Sequence, residues 1–217
     1  MGFGKFNMRK AMVFIDGNNF YHGAKSLIEN PNDIDFVALA NLIGKEKKFS
    51  PTEIRWYNSL PRLEDDVHAY RKRMQYIESL RAQGILVNTR YLLRCSNQEN
   101  IDKKVKMLDS WRLCRKCSHI VEADFLNEPP YLNKEKGVDV QIATDMVRYA
   151  LKSPINQVVL LSGDADFVPA FELIKEIKAN HVICLSSSVE QGYSEELRQK
   201  FDYKLLTRLD LESCLLN

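Results

Sequence analysis

Short apolar runs alternate along this chain with longer stretches in which apolar residues recur every three or four positions. The runs Ala11–Ile15, Ile54–Tyr57 (after Pro51), Ile85–Tyr91, Val158–Leu161, His181–Leu185 and Tyr203–Leu206 predict strands. Phe36–Ile43 predicts a short helix stopped by Gly44. Leu63, Val67, Tyr70, Met74, Ile77 and Leu80 mark one stripe of a longer helix that Gly84 ends. Val140, Ala143, Val147 and Leu151 mark another, and Phe171, Ile174 and Ile177 a third with Pro169 in its first turn. Glu195–Phe201 predicts a last helix. Buried strands separated by helices imply an α/β fold with a mainly parallel sheet covered on both faces. The expected strand order is about 3-2-1-4-5, within a single domain spanning 1–217. Residues about 97–136 break the rhythm with cysteines, charge and Pro129-Pro130, and read as an insertion.

Four aspartates punctuate this pattern. Asp16 ends the first apolar run and opens Asp16-Gly17-Asn18-Asn19. Asp164 and Asp166 follow Val158–Leu161 within Ser162-Gly163-Asp164-Ala165-Asp166. Asp139 sits in Lys136-Gly137-Val138-Asp139-Val140, at the start of a predicted helix. In doubly wound sheets, ligands bind beyond the carboxyl ends of the strands where the strand order reverses. The first and fourth predicted strands flank that point, so Asp16 is expected beside Asp164 and Asp166. Crowded carboxylates resist full ionisation, and a divalent cation removes that penalty. Oxygen donors with no histidine nearby suit Mg²⁺ or Mn²⁺. Such a site can align a water for attack on phosphorus. Asn19 and Ser162 add neutral groups for a water or a phosphate oxygen, and Gly17 and Gly163 permit close approach. Each residue also has a structural reading. Asp16-Gly17-Asn18-Asn19 is a good turn sequence, Asp166 suits a helix N-cap, and Asp139 suits the positive end of a helix dipole. Asp145, six residues beyond Asp139 on an ideal helix, points elsewhere and reads as structural.

Composition changes this picture little. The 217 residues are 45% apolar and 28% charged with a formal net charge of +2, so bulk charge does not mark a nucleic-acid binder. Local clusters do more: Arg71-Lys72-Arg73, Lys103-Lys104 and Arg112 with Arg115-Lys116 lie close in sequence to Tyr70, Tyr76, Tyr91 and Trp111. Basic residues mixed with aromatics can track a phosphate backbone and stack bases. No apolar stretch is long enough to span a bilayer. The polar, basic start and the short run after it do not form a signal-peptide core. Five cysteines then read as reduced thiols in a cytoplasmic protein. Cys114-Arg115-Lys116-Cys117-Ser118-His119 has the spacing of a zinc hook that Cys95 would complete as Cys₃His; two ordinary cysteines are the other reading.

The motifs Phe14-Ile15-Asp16-Gly17-Asn18-Asn19-Phe20-Tyr21, Lys136-Gly137-Val138-Asp139-Val140 and Leu161-Ser162-Gly163-Asp164-Ala165-Asp166-Phe167-Val168-Pro169 resemble, in this order, those of the NYN-domain family, the LabA-like branch of the PIN-like nucleases. The resemblance spans nearly the whole chain. It implies a three-layer PIN-like domain and metal-dependent ribonuclease chemistry. It also implies that Asp16, Asp139 and Asp164 are the metal-binding acidic core, with Asp166 and Asn19 close by. Asp145 matches a recurrent acidic position. Some LabA-like proteins carry a cysteine pair before Lys-Gly-Val-Asp, which keeps structural Zn²⁺ in play.

The expected function is therefore a Mg²⁺- or Mn²⁺-dependent endoribonuclease acting on RNA, with single-stranded DNA an open alternative. A non-catalytic RNA-binding module of the same fold is a second reading. A haloacid-dehalogenase-type phosphatase is a third, disfavoured because Asn18 stands where that family has its second aspartate. An edge strand or the tail 209–216 offers a surface for a homodimer.

Overall fold

The computed structural model describes residues 8–178, 182–190 and 192–216. Tyr91–Lys136 form one compact unit, and the described residues on either side form the other.

The larger unit is built on β1 (Arg9–Asp16), β2 (Phe49–Leu60), β3 (Leu86–Tyr91), β6 (Gln157–Leu161), β7 (Ile183–Val189) and β8 (Asp202–Leu206), in the spatial order β3-β2-β1-β6-β7-β8. The pairs β1–β2, β1–β6, β6–β7 and β7–β8 are parallel. β1 is central and buried from Ala11 to Asp16 because its faces feed different cores. Ala11, Val13 and Ile15 join Phe20, Phe36, Leu39, Trp56, Ile77 and Leu80. Met12 and Phe14 join Tyr57, Ile142, Met146, Phe167 and Phe171 on the other side. The first core is covered by α1 (Gly17–Ala24), α2 (Phe36–Lys47), α3 (Val67–Ala82) and α9 (Arg208–Glu212). The second is covered by α6 (Val138–Lys152), α7 (Val168–Ile177) and α8 (Glu195–Lys200). The result is a three-layer α/β fold.

Several elements depart from the sequence reading for local reasons. Asp16-Gly17-Asn18-Asn19 opens α1 instead of a free turn, because Asp16 Oδ1 accepts from the Asn19 amide as an N-cap. α2 runs through Gly44 to Lys47. Gly44 is there for packing, since a Cβ would lie 2.5 Å from the Phe49 carbonyl oxygen, and Lys48, with φ of 62°, ends the helix. β2 begins before Pro51: the register slips between Ala11 and Met12, and Thr52 Oγ1 donates to the Ala11 carbonyl at 2.9 Å. A bulge there tolerates a residue that has no N–H. Leu63 precedes α3 and is exposed. On α6 the buried residues are Val138, Ile142, Asp145, Met146 and Ala150, while Val140 and Leu151 face outward. β7 begins at Ile183, and His181 lies outside the described residues. The tail packs on its own domain, with Leu211 and Cys214 buried and the Leu216 amide donating to the Asp33 carbonyl.

The Tyr91–Lys136 unit is ordered, not irregular, and begins ahead of residue 97. β4 (Leu93–Ser96) and β5 (Tyr131–Lys134) form an antiparallel pair, connected through α4 (Gln98–Ser110) and α5 (Arg115–Phe125). Buried Asn97 clamps its base: its amide donates to the Pro130 carbonyl and its Nδ2 to the Pro129 carbonyl, each at 2.9 Å. Trp111 packs on Phe125 with ring centroids 5.0 Å apart. No described helix in either unit is long and apolar enough to cross a membrane.

Candidate functional site

The ends of β1 and β6 are adjacent because the two strands pair in parallel register, Ile15 opposite Leu161. The residues that follow converge through one hydroxyl. Ser162 Oγ donates to Asp16 Oδ2 at 3.1 Å and accepts from the Asp164 amide at 3.2 Å. Asp16 is 4% exposed and Ser162 1% exposed, so this contact is shielded from water. Asn19, from the first turn of α1, accepts from the Gly163 amide through Oδ1 at 3.0 Å. Ser186 on β7 donates to the Ser162 carbonyl at 3.1 Å. Asp164 Oδ1 accepts from the Asp166 amide at 2.9 Å, capping the 3₁₀ turn Ala165–Phe167 that leads into α7. Three strands and one helix thus fix the Ser162–Asp166 turn. The turn must pass close to Gly192, which is why its second residue has no side chain.

The expected acids are distributed unevenly around this turn. Ser162 bonds the Asp16 carboxylate and the Asp164 backbone amide. Asp166 is exposed and does not cap α7, whose N-cap position is Phe167 with no side-chain bond; Asp164 caps the 3₁₀ turn before it. Asp139 is exposed in the first turn of α6. Asn19 and Ser162 spend their oxygen atoms holding the turn, so they act as positioning residues. Asp145 is buried on the inner face of α6 while Asp139 is exposed: Tyr57 donates its hydroxyl to Oδ2 at 3.1 Å, and Arg148 pairs with Oδ1 at 2.7 Å. Burial pushes the Tyr57 phenol far up, and the Asp145 carboxylate pushes it further, so Tyr57 remains a neutral donor.

No group of three or more His, Cys, Asp or Glu among the described residues is placed to hold a metal ion. This bears on both expected metal sites. For the acidic site, Asp16, Asp139 and Asp164 are not gathered as a three-acid group, and the carboxylates at the paired strand ends are Asp16 and, in the turn after β6, Asp164. Mg²⁺ keeps several waters and needs only one or two carboxylates alongside substrate phosphates, so the pair suits it. For zinc, the expectation is corrected: Cys95, Cys114, Cys117 and His119 are not gathered. Cys95 lies on β4, and the whole of α4 separates it in the chain from the other two at the start of α5. Cys114 and Cys117 do meet each other. Amide donation from Cys117, its thiol and the Lys116 amide lower the Cys114 pKa, while giving that hydrogen bond raises Cys117. Burial pushes the Cys184 thiol up to about 12. Because the thiolate is the nucleophile, Cys114 should alkylate with iodoacetamide at lower pH than Cys117, and Cys184 should stay unmodified in the folded chain. Peptide mass spectrometry across a pH series checks this order.

The basic clusters lie on different elements. Arg71 and Lys72 are exposed on α3 and Arg73 is half-buried. Lys103 pairs with Glu99 at 2.7 Å. Lys104 pairs with Glu128, donates to the Phe125 carbonyl at 3.1 Å and sits over its ring. Arg112, Arg115 and Lys116 are exposed. A basic feature absent from the sequence reading is a concavity of ≈ 510 Å³ lined by Arg55, Arg90 and Arg148. These residues stand singly in the sequence, so no cluster announces them.

Residues 10–208 match the NYN domain. The chain belongs to the NYN-domain family. NYN domains have a nuclease-type, PIN-like fold and are generally related to nucleic acids, and the nuclease-like members typically use divalent metals. The crystal structure of a protein of unknown function, VPA0982, from Vibrio parahaemolyticus RIMD 2210633 is similar, with a TM-score of 0.53 over 92% of this chain and 93% of that one. At 16% identity that likeness is one of fold. No curated protein matches the chain.

Proposed function

We propose that this NYN domain is a metal-dependent ribonuclease. The observation that carries the reading is the parallel pairing of β1 and β6, which sets Asp16 at the end of one strand beside the turn bearing Asp164 at the end of the other, with Ser162 bonded to the Asp16 carboxylate and the Asp164 amide. Asp16 and Asp164 would hold Mg²⁺ or Mn²⁺, with the exposed Asp166 of the same turn adding negative charge. A bound ion of this class supplies charge neutralisation at the scissile phosphate and a water acidified enough to attack it. The chain's own residues set the geometry. Ser162 ties the Asp16 carboxylate to the backbone amide of Asp164 and so fixes the start of the turn that carries the second acid. Asn19 locks the Gly163 amide, so the Asp164 carboxylate is presented from a rigid turn. Tyr57 and Arg148 hold Asp145 as a paired charge. Phosphodiester hydrolysis then needs only that the strand be drawn across the turn.

The direct test is incubation of purified protein with single-stranded RNA and either Mg²⁺ or Mn²⁺. Cleavage that stops on adding a chelator and returns with excess metal is the expected result. Salt-sensitive RNA binding with no metal-dependent turnover would replace this reading with that of a non-catalytic RNA-binding module.

A further inference from the structure

The groove lined by Arg55, Arg90 and Arg148 adjoins the acidic site through the sheet itself. Asp16 and Tyr57 are register partners on β1 and β2. Alternation along β1 puts Asp16 on the Met12–Phe14 face, the face on which Tyr57 packs. Neighbouring strands lie about 4.8 Å apart, so the Tyr57 side chain stands directly beside Asp16. Its hydroxyl holds Asp145, which lines the groove. The groove also starts at the first turn of α6, through Val140 and Gln141, immediately after Asp139. It therefore leads away from the acids along β2 and β3.

Its chemistry is that of an anion site. Three guanidinium groups line it against one carboxylate, Asp145, which is already paired to Arg148. Arg55 forms the floor. It stacks on Tyr149 at 4.1 Å from the ring centroid and is ion-paired to Glu53. Burial opposes the Arg55 charge, but the Glu53 carboxylate more than compensates, so Arg55 stays protonated as half of an ion pair. Arg148 is half-exposed at the rim. Arg90 is exposed, lies 3.5 Å from where a Gly137 Cβ would be, and forms no ion pair among the described residues. Asn88, Gln141 and Thr144 add neutral polar side chains. Guanidinium forks match phosphate oxygens in geometry as well as charge.

We propose that Arg55, Arg90 and Arg148 form a phosphate-binding subsite that receives the backbone of a single nucleic-acid strand next to the Asp16–Asp164 pair. The inference rests on the ribonuclease reading for the identity of its ligand. Arg90 and Arg148 make the phosphate contacts from the rim, and Arg55, held by Glu53 and Tyr149, presents a guanidinium beneath them. A strand bound there is positioned without any reading of its bases.

The test is a titration of short single-stranded RNA in chelator, where no cleavage intervenes, repeated over a salt series. Wild type, Arg90→Gln and Arg90→Gln/Arg148→Gln are compared. Each lost contact on a single strand lowers the steepness of log K against log salt by about 0.7. The expected losses are therefore about 0.7 and about 1.4, with affinity weakened alike for all sequences. Because Arg148 neutralises buried Asp145, the double variant is first checked for folding, and Arg90→Gln carries the test alone if it fails. An unchanged slope in Arg90→Gln, with metal-dependent cleavage present in wild type, overturns the subsite and leaves the ribonuclease reading standing. Neither binding nor cleavage by wild type overturns both. Competition with adenosine monophosphate and with inorganic phosphate separates the sources of the phosphate. Mononucleotide binding as tight as the oligonucleotide's would make the ligand a free nucleotide and overturn the strand assignment.

Discussion

Asp16→Asn and Asp164→Asn should each lower metal-dependent RNA cleavage by about 10²–10³-fold, the loss typical of removing one preorganised electrostatic group. Asparagine is the informative replacement because it preserves the local structure. At Asp16 the side chain caps α1, and asparagine caps as well as aspartate. Its carbonyl keeps the Asn19 amide, while its NH₂ donates to Ser162 Oγ in place of the bond Ser162 now donates. At Asp164 the carbonyl keeps the Asp166 amide. Unfolding midpoints should therefore stay close to wild type while turnover falls. If both side chains hold one ion, the double variant should fall little further than either single one, because groups acting as a unit are not additive. Ser162→Ala removes the hydroxyl that links the Asp16 carboxylate to the Asp164 amide. It should cost about 10–100-fold, in line with other residues that orient metal ligands. Rates measured against metal concentration check all four variants. Wild-type turnover in both single variants would remove Asp16 and Asp164 from the active site.

The adjacency of the β1 and β6 ends, which carry Asp16 and the turn with Asp164, was legible in sequence for a physical reason. Strands buried on both faces must be apolar throughout, so Ala11–Ile15 and Val158–Leu161 stand out, and the polar residue that ends each one marks the sheet's carboxyl edge. Parallel pairing then brings those edges together. Asp139 was less readable, because a residue in a helix's first turn is placed by the segment that precedes it. For Asp145 the helical stripe itself misled. Val140 and Leu151 look like core positions, yet the buried face of α6 runs through Val138, Ile142 and Met146 and includes the carboxylate. A buried acid is invisible to an apolar pattern unless its partners are known, and Tyr57 and Arg148 come from a distant strand and from the next turn. The same limit hid Arg55, Arg90 and Arg148, three isolated arginines on β2, β3 and α6. Lys103 and Lys104, conspicuous in sequence, turn out to be paired with carboxylates in their own unit.

Gly163→Ala should damage both stability and activity, and the contrast with Gly84→Ala separates the two causes. A Cβ on Gly163 would fall inside the van der Waals shell of the Gly192 carbonyl oxygen, 2.6 Å from its carbon and 3.1 Å from Tyr193 Cα. These are backbone atoms with no rotamer to adopt, so one of the two loops has to move. Inserting a methyl into filled space costs about 1–3 kcal/mol. The shift also drags the Gly163 amide from Asn19 Oδ1 and carries Asp164 with it. Catalytic groups displaced by about 1 Å lose about 10²-fold, so cleavage should fall together with the urea midpoint. Gly84 has φ of 81° but nothing within 4 Å of its would-be Cβ. Alanine there pays only left-handed backbone strain, about 1–2 kcal/mol, in the connection between α3 and β3, neither of which carries an acidic residue of the site. Gly84→Ala should thus lower the midpoint comparably while leaving the turnover of the folded protein intact. Equal activity in both variants would mean that the Ser162–Asp166 turn does not position the reacting groups.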